Sequence, residues 1–153
     1  VNGVIVTDLP PEEAENGEWL PAAREGGLDT IFLLAPTSSA QRMKKVVDLA
    51  TGFVYCVSRM GVTGARAELP ADLAGLVGRI RAETEKPVAV GFGISRPEHV
   101  AQVCRIAEGA VVGSAVVSLV DRVEGSAGRA QAAASFVGQL KAATRVSASA
   151  RWR

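Results

Sequence analysis

The 153 residues are 48% apolar, 22% charged and 5% aromatic, with two cysteines and a formal net charge of +1. That balance excludes a disordered chain, which lacks the apolar content for a core, and a disulfide-stapled scaffold. It also excludes bulk attraction to nucleic acid or an anionic membrane, and the longest apolar stretch, Ala110 to Val120, is broken by Gly113, Ser114 and Ser118, short of the roughly 18 residues of a spanning helix. The length fits one domain of about 150 residues. The chain has no initiator Met and no secretory signal, and the low cysteine count fits a cytoplasmic protein.

In chain order, the first strand candidate is Gly3–Val6, and Pro11-Glu12-Glu13 opens a helix with acids near its positive end. Gly26-Gly27 stops that helix before a second strand, Thr30–Leu34. Ser38 or Ser39 can cap the next helix, whose apolar face is Met43, Val46, Val47 and Ala50. Gly52 ends it, and Phe53–Val57 is the third strand. Leu73, Leu76, Val77 and Ile80 repeat the i, i+3, i+4, i+7 spacing ahead of a fourth strand, Val88–Gly91. Ser95-Arg96-Pro97-Glu98 reads as a capping box opening a helix with Val100, Val103, Cys104 and Ala107 on its packed face. The fifth strand, Ala110–Gly113, leads into stripes at Val116, Leu119, Val120, Val123 and then Ala133, Phe136, Val137, Leu140. The strand runs are continuously apolar rather than alternating, the pattern of a parallel sheet buried on both faces. The expected fold is α/β: five βα units with one extra helix, over residues 1–144, followed by an aperiodic, disordered tail at 145–153.

In parallel βα folds, ligands bind at the carboxyl ends of the strands. Three of the five following loops contain glycine: Ser58-Arg59-Met60-Gly61-Val62-Thr63-Gly64, Gly91-Phe92-Gly93-Ile94-Ser95 and Gly113-Ser114-Ala115. Glycines that lead into helices let backbone N–H groups approach an anion, and a serine hydroxyl adds a donor. Two such ends on consecutive strands point to phosphate, with an ordinary tight turn as the alternative. A phosphate grip on the last two strands is the (βα)8-barrel arrangement. Those strands would then be the seventh and eighth, making the five here strands 4 to 8 of an incomplete barrel. Phe53, Tyr55 and Val57 share one strand face, so Tyr55 either lines a pocket or is a satisfied core tyrosine. Gly61–Gly64 reads as a mobile flap or as an ordinary long loop.

These strings, joined to Thr7-Asp8-Leu9-Pro10-Pro11-Glu12-Glu13 and Ile31-Phe32-Leu33-Leu34-Ala35-Pro36-Thr37, resemble the α subunit of tryptophan synthase from Val1 to about Val123. The resemblance implies a TIM barrel that cleaves indole-3-glycerol phosphate to indole and glyceraldehyde 3-phosphate. It also implies an α2β2 partnership with a β subunit that holds the pyridoxal phosphate; this chain would carry no cofactor or metal. It implies that Gly64, Gly93, Gly113 and Ser114 hold the phosphate, and that Tyr55, Phe92 and Leu33 line the pocket. Tyr55, Thr63 and Arg59 would support catalysis, and Asp8 would lie near the β-subunit face. Thr7 departs from the proline or small residue common in the family. The family's catalytic glutamate and aspartate would precede Val1, so the chain alone is expected to be inactive. The alternatives are a non-catalytic module that binds phosphate or docks on a β subunit, and a fragment of another phosphate-binding barrel.

His99 falls off its helix's apolar stripe and reads as solvated, while Cys56 and Cys104 read as inert core thiols. Trp19 and Trp152 receive no role.

Overall fold

A computed structural model describes residues 1–58, 70–91 and 93–145. The elements run β1 (Gly3–Val6), α1 (Pro11–Asn16), α2 (Trp19–Glu25), β2 (Asp29–Leu34), α3 (Ala40–Leu49), β3 (Val54–Val57), α4 (Leu73–Glu83), β4 (Val88–Gly91), α5 (Pro97–Val103), β5 (Gly109–Ala110), α6 (Ser114–Asp121) and α7 (Ser126–Ala143). The strands pair in parallel in the order β1-β2-β3-β4-β5. Every crossover therefore steps the same way, and right-handed crossovers that never reverse keep their helices on one side of the sheet. That course is the one a barrel follows; a doubly wound sheet reverses at its switch point.

The register assigns the two faces. Leu34 lies beside Cys56, Cys56 beside Val90 and Val54 beside Val88, and all of these join one cluster with helix residues Met43, Val46, Leu76, Ile80 and Val103. Alternate positions form the opposite face: Ile5 beside Ile31, Leu33 beside Tyr55, Tyr55 beside Ala89, Val57 beside Gly91. Ile31 and Tyr55 are buried yet stand outside the helix-side cluster. That second face is where a barrel interior belongs.

Local signals explain the boundaries. Ser39 caps α3, its side chain accepting from the Arg42 amide at 3.2 Å, while Ser38 Oγ accepts from the Ala35 amide. Gly26 closes α2, and Gly27 follows at φ 64°. Three expectations change. The first helical region is two helices, broken between Asn16 and Trp19. β5 is only Gly109–Ala110: the Val111 amide still reaches Val90 O at 2.7 Å, but the chain then turns away at Gly113. Burial on both faces holds for the middle strands and fails on β1, where Ile5 is 44% exposed, because an edge strand has one neighbour instead of two. The stripe on α4 is buried as expected at all four positions, whereas none of α6 is buried among the described residues.

Cys56, in the middle of β3, is buried, and desolvation outweighs the nearby Arg79 charge to push its thiol up to about 12. An Ellman's titration at pH 8 should leave Cys56 unmodified in the folded chain and modify it after urea unfolding. The raised value also makes alkali destabilising. The unfolded thiol ionises from about 9, the folded one only near 12, so stability falls as pH climbs through that window. Desolvation shifts Tyr55 the same way.

Candidate phosphate-binding site

The carboxyl ends of β3, β4 and β5 lie side by side. The Ser58 amide donates to Gly91 O at 3.0 Å and the Val111 amide to Val90 O, so the ladder continues to the point where each chain leaves the sheet. Ser58 is buried there. On β4 the exit passes Gly93, at φ 81°, a left-handed conformation that a side chain would strain. Ile94 then drops into the core at 3% exposure.

On β5 the exit is Gly113-Ser114, where Gly113 is the N-cap of α6. A Cβ added to Gly113 would meet no atom within 4 Å, so the backbone borders open space. Ser114 is the first residue of an eight-residue helix. Its first amides have no partner within the helix, and the dipole there favours an anion. The sequence thus places Gly93, Gly113 and Ser114 on the exits of two adjacent strands. Arg59, Thr63, Gly64 and Phe92 lie outside the described residues.

The pocket wall begins at Tyr55. Its register neighbours are Leu33 on β2 and Ala89 on β4, on the face opposite the helices. The ring leans along β4 over Gly91: a Cβ built there would stand 1.9 Å from Tyr55 Oη and 2.4 Å from Cζ. Gly91 is therefore the vacancy that the phenol fills, a role its place in a strand could have signalled. Tyr55 is 8% exposed. Leu33 is half-buried beside it. Asp8, on the exit of β1, is exposed and accepts from Thr7 Oγ1 at 3.1 Å.

A profile of the tryptophan synthase alpha chain matches residues 1–145. The chain belongs to the tryptophan synthase alpha chain family. It is 52% identical over 120 residues to the alpha chain of Dehalococcoides mccartyi, covering 78% of this chain and 46% of the relative. Against that of Geobacter sulfurreducens it is 49% identical over 143 residues, covering 94% and 53%. It thus spans about half the length of the curated alpha chains it matches. Among solved structures, tryptophan synthase of Mycobacterium tuberculosis superposes with a TM-score of 0.80 at 40% identity, over 95% of this chain and 52% of that one. A structure of the Pyrococcus furiosus tryptophan synthase α2β2 complex gives 0.80 at 40% identity over 93% and 56%. These alpha-chain neighbours are TIM barrels, so the consecutive parallel strands of this chain are part of that architecture.

Two sequence readings of this region are corrected. His99 is 2% exposed, because it turns toward the β4 exit instead of solvent. Ser95 does not cap α5: the N-cap is Arg96, and no side chain caps it among the described residues. Cys104, the residue that ends α5, is only half-buried. Among the described residues no three His, Cys, Asp or Glu side chains cluster to hold a metal, and no helix is long and apolar enough to cross a membrane.

Proposed function

We propose that this chain forms part of a cytoplasmic indole-3-glycerol-phosphate lyase of tryptophan biosynthesis, the alpha component of an α2β2 tryptophan synthase. The observation that supports it best is the pair of glycine exits, Gly93 and Gly113-Ser114, on adjacent strands of a chain in this family. On this reading the phosphate is held there, with Gly64 contributing, and the indole lies against Tyr55, Leu33 and Phe92. Arg59 and Thr63 close over the substrate. Residues 1–144 act as one portion of the barrel, with 145–153 as a tail outside it. The chain needs no cofactor of its own; pyridoxal phosphate belongs to the β subunit.

Aldol cleavage breaks the bond from indole C3 to the glycerol chain. It requires an acid that delivers a proton to C3 and a base that takes the proton of the glycerol hydroxyl. None of the residues assigned above can do both. The 153 residues by themselves are a binding and positioning unit, and two carboxylates from elsewhere supply the proton transfers. Calorimetry of the chain with glycerol 3-phosphate should give binding heat at millimolar ligand. Addition of β subunit and indole-3-glycerol phosphate should give no indole. Absence of heat counts against the phosphate site, and robust turnover counts against the assignment of the acid and base to other residues.

A further inference from the structure

We infer that His99 is a positioning residue that fixes the Gly93–Ser95 turn by accepting a hydrogen bond from the Ser95 amide. Its effect on phosphate rests on the phosphate reading of that turn. His99 is the third residue of α5, and its Nδ1 lies 3.4 Å from Ser95 N, its Nε2 3.1 Å from an Arg96 guanidinium nitrogen. A helix start is normally fixed by an oxygen-bearing N-cap, with the third residue reaching back to an amide. Arg96, extended at φ −141° and ψ 155°, has no side-chain oxygen to offer. His99 does the reaching back, one residue further than a capping box would, and it is buried and so held in place.

The turn then has two fixed points directly after its glycine. Ile94 is anchored in the core, and the Ser95 amide is tied to the imidazole. A turn whose amides must face an anion binds it more tightly if it is ordered beforehand, because ordering on binding subtracts from affinity. An imidazole nitrogen that accepts carries no proton, and among the described contacts Ser95 and Arg96 each bring a donor to the ring. Arg96 is exposed and has five N–H groups that water can satisfy, whereas the Ser95 amide has a single hydrogen. On this inference Nδ1 is the acceptor, the ring proton is on Nε2, and the Arg96 guanidinium, which can only donate, turns to water.

Asparagine and leucine have nearly the same shape, and asparagine places an acceptor where Nδ1 stands. Glycerol 3-phosphate binding to the 153-residue chain should weaken roughly 3- to 10-fold in His99→Leu, the worth of one hydrogen bond, and return to within about twofold in His99→Asn. If the ring only fills volume, leucine serves a buried position better than asparagine and the order reverses. Equal affinity in His99→Leu and the unsubstituted chain, or equal weakening in both variants, overturns the inference. Nitrogen-15 imidazole shifts of the unsubstituted chain judge it without a variant: a proton on Nε2 supports it, and a proton on Nδ1 overturns it. If the unsubstituted chain does not bind glycerol 3-phosphate, the phosphate reading fails, while the imidazole shifts still decide what His99 does.

Discussion

Replacing Gly91 by alanine should be among the most damaging single substitutions in the chain. The new methyl would stand 1.9 Å from Tyr55 Oη and 2.4 Å from Cζ. The phenol cannot swing away cheaply, since it is 8% exposed between β2 and β4, and the strand cannot recede because the Ser58 amide is tied to Gly91 O. Overpacking of this kind costs about 3 kcal/mol, at the upper end for an added methyl. Urea unfolding followed by circular dichroism should therefore give a much lower midpoint. Tyr55→Leu shortens the side chain that occupies the space. In the double variant the cost should be less than the sum of the two single costs by about 1–2 kcal/mol. Simple additivity would mean that the ring moves aside without strain.

Phe32→Ala should destabilise the fold by about 3–5 kcal/mol, through lost transfer energy and the cavity left behind. Phe32 is 1% exposed, on β2 within the best-buried part of the sheet, and packs edge-on against Trp19, with ring centroids 6.4 Å apart and planes at 79°. The substitution thus removes both a core side chain and the ring that seats α2 on β2. Phe32→Leu, which keeps most of the volume, should recover much of the stability. Comparable losses in the two variants would assign the effect to the aromatic contact instead of the volume.

The middle of the fold was legible because its sequence signals are local and its burial is complete. Leu73, Leu76, Val77 and Ile80 were expected on one helix face, and all four are buried there. Phe53–Val57 and Val88–Gly91 read as strands, and they form β3, from Val54, and β4, paired in parallel. The same rules failed where a neighbour is missing. The stripe on α6 is as regular as that on α4 and meets α7, yet Val116, Leu119, Val120 and Val123 are only half-buried. Periodicity says which side of a helix is apolar; it does not say how completely that side is covered.

The site was legible as backbone and less so as side chains. Glycine positions and strand exits follow from spacing, so Gly93, Gly113 and Ser114 fall at adjacent exits as expected. His99 was misread because the stripe rule assumes that a helix buries only the face toward the sheet, while this side chain turns back to the loop before its own helix. The fit between Tyr55 and Gly91 needs the register of two strands 34 residues apart in sequence at Val54 and Val88, which no single-strand pattern contains.

The unbroken strand order also bears on how the chain folds. Each strand pairs with the next in sequence across a connection of one or two helices, so no pairing spans an intervening strand. Assembly can begin in the middle, where β2, β3 and β4 share the largest buried cluster, and extend outward one βα unit at a time. Opening runs the other way. β1 and the two-residue β5 each have one neighbour, so they are the first to separate, while Val54 and Cys56 are the last to meet solvent. The two glycine exits straddle that gradient: Gly93 follows a well-protected strand, and Gly113 follows the most weakly held one.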